Sequence, residues 1–161
     1  MPKRARCPYC GKLFDRYELD KHVRVCRRRN QQRESRSRRN LVIDGNNVAY
    51  YLSYNGTPQA NNIALADRSL RNAGYNPVAV VSAALKYKVE DPGILDDLVR
   101  RRKVLEARSG TNDDAMILRL ANRKNADIVS NDRFLDWLDR YPWIPDRLHR
   151  YRMTPSGLIL L

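Results

Sequence analysis

The sequence lacks the features that mark membrane and secreted proteins. No apolar run in its 161 residues approaches the roughly 18 residues that a membrane-spanning helix needs. The opening stretch MPKRARCPYC lacks the apolar core of a signal peptide. We therefore expect a soluble cytoplasmic protein without a membrane partner. The sequence leaves its oligomeric state open, a homo-oligomer included.

Cysteine and histidine are scarce and unevenly placed. All three cysteines lie within the first 26 residues, and His149 is the one histidine outside that segment. An odd cysteine count does not suit a disulfide framework. Beyond residue 40 there is no cysteine, so thiol chemistry is excluded there. The G-x-S-x-G motif of α/β-hydrolases and the P-loop of nucleotide-binding enzymes are also missing, which argues against these two enzyme classes. Carboxylate and metal chemistry remains.

Basic residues outnumber acidic ones, and the excess of positive charge is concentrated in the N-terminal 40 residues. The net charge is +13, of which residues 1–26 contribute +4, residues 27–40 contribute +6 and residues 41–161 only +3. Such asymmetry indicates a polyanionic partner, most simply a nucleic acid. No amphipathic apolar stripe accompanies the arginines, which makes an anionic membrane the weaker alternative.

Three regions are expected along the chain: a Cys/His module over residues 1–26, a basic linker over residues 27–39 and a globular domain over residues 40–161. The linker, RRRNQQRESRSRR, contains no apolar residue. It has no surface to bury, so the composition predicts a disordered or self-repelling segment.

Strands and helices alternate through the globular region. The patterns predict strands over residues 40–44, 77–84, 103–108 and 126–130, helices over 61–74, 92–102, 113–125 and 132–141, and a terminal pair of strands over 149–161. This alternation predicts an α/β fold with a parallel sheet covered on both faces. Ligand sites in such sheets lie beyond the carboxyl ends of the strands.

The first region has the spacing of a zinc site. Its four potential ligands follow the pattern C-x2-C, eleven residues, then H-x3-C: Cys7, Cys10, His22 and Cys26. Zn²⁺ takes four N/S ligands tetrahedrally, and a module this small needs the metal to fold. With Phe14 and Leu19 as a minimal core, the module resembles the small ββα zinc fingers. Whether this module would bind RNA or protein stays open.

Five carboxylates fall at strand ends or helix starts: Asp44, Asp113, Asp114, Asp132 and Asp136. Each has a simpler reading alone, since Asp–Gly marks a turn and acids cap helix N-termini. Together they repel one another if the sheet brings them close. A hard cation that prefers carboxylate oxygen, Mg²⁺ or Mn²⁺, would offset that repulsion. Gly45 would let the chain turn after the first strand.

Three motifs carry a family resemblance. VIDGNNVA, the DD that opens a helix and IVSNDRFLD resemble the NYN branch of the PIN-like nucleases, and among them most closely the Regnase-type endoribonuclease domain, over residues 40–155. The resemblance implies a Rossmann-like PIN/NYN sandwich that cleaves RNA with magnesium held by clustered aspartates. Asn46 departs from the smaller serine often found there.

The resemblance implies roles residue by residue. Asp44, Asp113, Asp114 and Asp132 would hold the magnesium or manganese ion. Asn47 would hold the first carboxylate or the substrate, and Asp136 would be a further catalytic acid.

Basic residues after the strands are candidates for substrate phosphate contacts: Lys86, Lys88 and Arg108. A solvated basic edge is the alternative.

The function expected from these features is a metal-dependent endoribonuclease that hydrolyses RNA phosphodiester bonds with a magnesium-activated water. The alternatives are a catalytically silent module that binds RNA or protein, and a DNA nuclease of the same fold. A phosphatase of the haloacid dehalogenase type ranks last, because that chemistry needs an acid at position 46, where this sequence has Asn.

Overall fold

The computed structural model describes residues 4–161, without the side chains of residues 34–37. The chain divides into two compact units, the first ending at Arg38 and the second spanning Arg39–Leu161. Among the described helices, none combines the length and apolar character that crossing a bilayer requires.

The first unit is a small ββα module. Strands β1 (Arg4–Arg6) and β2 (Leu13–Asp15) pair as an antiparallel hairpin, and helix α1 (Arg16–Ser37) follows directly. The ring of Phe14 stacks on the imidazole of His22, with 3.9 Å between centroids. The aromatic core position expected from the sequence thus packs beside a metal-ligand candidate.

Helix α1 continues where the sequence predicts a disordered linker. Its last eleven residues, 27–37, belong to that basic segment, so the expectation of disorder is wrong for them. Arginine, glutamine and glutamate are good helix formers. A helix already started by the metal module extends without a new nucleation cost, and this offsets the repulsion between the arginines.

The second unit is built on a parallel sheet. Its strands are β3 (Asn40–Asp44), β4 (Asn76–Val81), β5 (Val104–Glu106), β6 (Asp127–Val129) and β7 (Leu148–His149). They lie in the order β5-β4-β3-β6-β7 and every neighbouring pair is parallel. The predicted α/β sandwich is confirmed, and the two-residue β7 is an edge strand that the sequence pattern does not show.

Helices connect the strands and cover both sheet faces. They are α2 (Gly45–Ala49), α3 (Ala60–Asn72), α4 (Pro92–Arg100), α5 (Asp113–Lys124) and α6 (Ile144–Arg147). Alternate residues of β3 enter different cores: Leu41 and Ile43 pack with α3 and α4, whereas Val42 packs with α5 and α6. A strand buried on both faces reads as one continuous apolar run.

The chain ends in the expected hairpin, with β8 (Tyr151–Thr154) antiparallel to β9 (Gly157–Leu160). The helix predicted over residues 132–141 is wrong. Only Leu135–Trp137 form a 3-10 turn, and Phe134 before it adopts a left-handed backbone with φ 52°. The Asp132 carboxylate accepts a hydrogen bond from the Phe134 N–H, and this local turn replaces the first turn of a helix.

Candidate functional site

Asp44 ends the central strand β3 at the point where the sheet order reverses. The chain runs from β3 outward through β4 to β5 and then returns to β6 on the other side of β3. In open parallel sheets such a switch point leaves a crevice at the carboxyl ends of the strands, where ligands bind. The position of Asp44 is therefore set by topology.

The carboxylate of Asp44 is buried and held by two donors. It is 6% exposed, accepts the Asn47 backbone N–H at 3.1 Å as the N-cap of α2, and accepts the Ser130 hydroxyl at 2.8 Å. Burial raises the pKa of Asp44 to about 6, the two hydrogen bonds oppose that rise, and repulsion from Asp114 and Asp113 adds to it. Because this buried carboxylate is repelled by two other acids, a cation bound beside it would stabilise its charged form.

Gly45 is required by close packing against β4. A Cβ built on it would lie 2.5 Å from the Val81 Cγ1 and 2.7 Å from the Val80 carbonyl oxygen, and its φ is not positive. The expectation that Gly45 serves to turn the chain is thus replaced by a steric reason. Helix α2 must start tight against the neighbouring strand for Asp44 to cap it.

Two asparagines connect Asp44 to the rest of the site. Asn46 donates through Nδ2 to Asp113 at 2.9 Å and accepts the Ser82 N–H at 3.1 Å through Oδ1. Asn47 accepts the Asn131 N–H at 3.0 Å and the Tyr151 hydroxyl at 2.8 Å on its Oδ1. The side chain of Asn47 therefore anchors the loop after β6 and the first residue of β8, while its backbone N–H holds the carboxylate.

Asp113 and Asp114 open helix α5. Asn112 caps that helix by accepting the Asp114 N–H at 2.8 Å, and both carboxylates are half-buried. The pKa of Asp114 is raised by burial and by repulsion from Asp113 and Asp132, with an opposing contribution from Trp137. Asp114 thus interacts with acids on both sides, which places Asp113, Asp114 and Asp132 in one electrostatic group with Asp44.

The loop after β6 contributes Asp132 but does not tie Asp136 to the group. Ser130, fully buried, donates to Asp44 and accepts the Asp132 N–H at 3.0 Å. Asp136 is exposed on the 3-10 turn and, within the described part of the chain, makes neither a hydrogen bond nor an ion pair. Its expected catalytic role stays a prediction.

The acid group suits a hard divalent cation chemically. Its donors are carboxylate oxygens and its members repel one another. Among the described residues, no three of these carboxylates bring ligand atoms within 4.8 Å of one another. That separation is compatible with Mg²⁺, which keeps several of its waters and is commonly bound through few carboxylates.

The three basic candidates lie beyond strands β4 and β5. Lys86 is on the turn Leu85–Tyr87, with its Nζ 5.2 Å from the Tyr87 ring centroid, and Lys88 and Arg108 are exposed. All three follow carboxyl ends of strands. Their contact with substrate stays a prediction.

The four zinc-ligand candidates converge in the first unit. The ligand atoms of Cys7, Cys10, His22 and Cys26 all lie within 4.8 Å of one another, as tetrahedral Zn–S and Zn–N bonds of about 2.0–2.3 Å require. Burial and the neighbouring thiols of Cys10 and Cys7 raise the pKa of Cys26 to about 11. A bound cation would favour ionisation of the Cys26 thiol, because the thiolate is the form that binds a metal.

Two residues important to the site geometry have no structural role among the expectations. Ser130 supports both Asp44 and Asp132, and Asn46 joins β4 to Asp113. The serine of the SND motif was a usable signal. It directly follows a strand and precedes Asp132 by two residues, and a small hydroxyl at that position suits a loop that holds a carboxylate. Burial raises the pKa of Tyr151, so its hydroxyl remains a donor to Asn47.

Comparison with known proteins gives a family and a fold. Residues 37–156 match the sequence profile of the Zc3h12a-like ribonuclease NYN domain, whereas no curated protein sequence gives a significant match. Two solved structures of the nuclear protein-only RNase P 2 from Arabidopsis thaliana are similar to the chain. One aligns with TM-score 0.62 at 17% identity over 99% of this chain, and the other with TM-score 0.60 at 16% identity over 100%. The chain spans 41% and 42% of their lengths.

Proposed function

Because the chain belongs to the Zc3h12a-like ribonuclease NYN domain family, we propose that residues 40–161 form a metal-dependent endoribonuclease. The observation that carries the proposal is the electrostatic group of Asp44, Asp113, Asp114 and Asp132 at the sheet switch point. Repulsion within this group and the burial of Asp44 are costs to the metal-free domain. A binding role for these carboxylates explains why the fold carries them.

The proposed ligands of a magnesium or manganese ion are these four carboxylates. When bound, such an ion supplies Lewis acidity, which activates water for attack and stabilises charge on the phosphoryl oxygens. The products expected from hydrolysis carry 5′-phosphate and 3′-hydroxyl ends.

The chain's own residues orient the group. Ser130 fixes one oxygen of Asp44 and aligns the loop that carries Asp132. Asn46 fixes an oxygen of Asp113 and so sets the direction of its free lone pairs. Lys86, Lys88 and Arg108 are proposed to contact the RNA phosphates, and Asp136 is proposed as an outer acid.

The first unit is proposed as a zinc finger, and the basic end of helix α1 is proposed to bind RNA electrostatically. Six exposed arginines lie on the part of that helix whose side chains are described: Arg16, Arg24, Arg27, Arg28, Arg29 and Arg33. Cations along an exposed helix attract a phosphate backbone without reading its sequence.

Cleavage of a labelled single-stranded RNA tests the nuclease directly. Wild type, Asp44→Asn and the matched control Asp96→Asn, which removes an exposed acid on α4, are compared in Mg²⁺, Mn²⁺ and EDTA. We expect Asp44→Asn to lose more than about a hundredfold in rate, because even outer partners of a metal are worth about 10–100-fold, and to keep RNA binding. The control should cleave as wild type does.

The outcomes separate the alternatives. Cleavage by Asp44→Asn at the wild-type rate, or undiminished cleavage in EDTA, contradicts the assigned site. RNA binding without cleavage in any metal indicates the silent module. Equal cleavage of a matched DNA oligonucleotide indicates a nuclease that does not select RNA.

A further inference from the structure

A groove of about 570 Å³ runs along helix α5 beside the edge strand β5. It is lined by residues of β5, of the loop after it and of α5, and we refer to it as the α5 groove. Because β5 is the last strand of the sheet on that side, nothing else in the sheet covers the groove there.

The α5 groove carries arginines without acidic partners. Arg108, Arg119 and Arg123 line it and are exposed, and none of them forms an ion pair in the structure described for residues 4–161. Some other arginines of the second unit are paired, for example Arg71 with Asp67 at 2.9 Å. Glu106 is the one acidic side chain in the groove lining. Unpaired guanidinium groups around one groove complement a polyanion.

The groove also has an apolar floor. Leu105, Met116 and Leu120 line it, and Leu120 is nearly fully buried. Arginines above an apolar surface fit a ligand that is charged along one side and flat and weakly polar along the other. A single-stranded nucleic acid has that chemistry, with phosphates on one side and bases on the other.

One end of the α5 groove lies at the start of helix α5, next to the acid group, although none of the four acids lines it. Asn112, in the groove lining, is the N-cap of α5, and the next two residues are Asp113 and Asp114. Arg123 is in the last turn of the same helix, about 16 Å further along the axis at 1.5 Å per residue. Arg119 and Arg123 are four residues apart and therefore share a helix face. A strand held at the acids could continue directly along these arginines.

We propose that the α5 groove binds the single-stranded RNA that flanks the scissile phosphate on one side. Arg119 and Arg123 contact successive phosphates beyond Arg108, and the apolar floor receives a base. This inference rests on the proposed nuclease function, because it takes the acid group as the point of cleavage.

Binding of a fluorescent single-stranded RNA in buffer without Mg²⁺, Mn²⁺ or chelator tests the groove apart from catalysis and keeps the first unit's proposed zinc in place. Anisotropy titrations at several salt concentrations compare wild type, Arg119→Glu/Arg123→Glu, the charge-preserving Arg119→Lys/Arg123→Lys and a control. The control, Arg150→Glu/Arg152→Glu, reverses two exposed arginines at the terminal hairpin. Thermal melting of each variant checks that it is folded.

We expect the glutamate pair to bind at least about tenfold more weakly than wild type, since each substitution removes a charge-assisted phosphate contact and adds a repelling charge. The slope of log K against log salt should fall by about 1.4, because each lost phosphate contact on a single strand removes about 0.7. The lysine pair should keep most of the slope, and the control should resemble wild type.

If the folded glutamate pair binds with wild-type affinity and salt slope, RNA binding by the α5 groove is rejected. An equal loss of affinity in the Arg150→Glu/Arg152→Glu control rejects it as well. Parallel cleavage assays keep the two proposals apart. RNA cleavage by wild type together with unchanged binding by the glutamate pair would leave the nuclease intact and reject the groove. Weakened binding without any wild-type cleavage would retain an RNA groove and reject the nuclease.

Discussion

Asp44 shows the conflict between stability and function at the scale of one residue. Its carboxylate is 6% exposed and faces two further acids. Two hydrogen bonds are too few to offset the loss of water, so the pKa rises to about 6. A residue chosen for stability alone would be neutral here. The negative charge of Asp44 is retained at the position where the proposed metal ion would bind.

Replacing Asp44 with asparagine should stabilise the metal-free protein at neutral pH. A folded pKa near 6 against the ordinary 3.8 corresponds to a cost on the order of 3 kcal/mol once the group is ionised in both states. Below the ordinary pKa the group is neutral in both states, and its contribution is fully favourable. As pH rises through 6 that contribution is lost.

The measurement is urea unfolding in magnesium-free buffer at pH 4, 6 and 7.5, followed by tryptophan fluorescence. The free energy of unfolding of Asp44→Asn minus that of wild type should be small at pH 4 and should grow to on the order of 3 kcal/mol at pH 7.5. Asp96→Asn controls for the loss of a charge. A constant difference at all three pH values would contradict the buried-charge interpretation.

Residues at strand ends could be predicted, whereas the contacts between them could not. Asp44, Asp113 and Asp132 follow from the alternation of strands and helices, which places strand ends at one edge of the sheet. The hydrogen bond from Asn46 to Asp113 spans 67 positions, and that from Ser130 to Asp44 spans 86. Such pairs depend on how the loops pack, and no local pattern encodes them.

At the scale of elements, the start of helix α2 depends on contact with strand β4. Gly45→Ala should therefore destabilise the domain by about 1–3 kcal/mol, the usual cost of overpacking. The added methyl would meet the Val80 carbonyl oxygen at 2.7 Å, and backbone cannot rotate away. Because Asp44 caps this helix, cleavage should fall as well.

Gly93→Ala is the matched control for that substitution. Gly93 is in the first turn of α4, and a Cβ there has no neighbour within 4 Å. Alanine should leave stability unchanged or raise it by up to about 1 kcal/mol, the helix preference over glycine. Thermal melting of both variants measures the contrast, and equal effects would contradict the steric role of Gly45.

Elements were predictable where the apolar period was long and the end signals were clear. Helix α5 begins within its Asn–Asp–Asp start and ends before Asn125, which adopts a left-handed backbone with φ 49°. Residues 132–141 have a helical pattern too, but the Asp132 side chain and the left-handed Phe134 make a turn there. Side-chain competition for backbone groups is not visible in apolar periodicity.

At the scale of the whole molecule, the two compact units depend on different interactions. The second unit has two large apolar cores on either side of its sheet. The first unit has a hairpin of two three-residue strands, one helix and the converging ligand atoms of Cys7, Cys10, His22 and Cys26. A module with so little apolar area needs a cross-link or a metal to fold.

Removing zinc should therefore unfold the first unit and leave the second intact. Because helix α1 extends from the metal module to Ser37, the loss should include the basic segment as well as the finger. Both tryptophans, Trp137 and Trp143, lie in the second unit, so their fluorescence reports on that unit alone. A zinc chelator should lower the helical circular dichroism signal without moving the fluorescence unfolding midpoint, and added Zn²⁺ should restore the signal.

Cys10→Ser is the genetic counterpart of the chelator, since it removes one ligand candidate that lies 3.2 Å from the His22 Nε2. It should reproduce the partial loss of helix and bind less Zn²⁺ in a metal-indicator titration. Ser156→Ala, at the exposed turn of the terminal hairpin, should change neither quantity. Loss of the helical signal together with a lowered tryptophan fluorescence unfolding midpoint would contradict the separate stability of the units. An unchanged helical signal after zinc removal would show that α1 forms without the metal, and that its extension through the arginines has another cause.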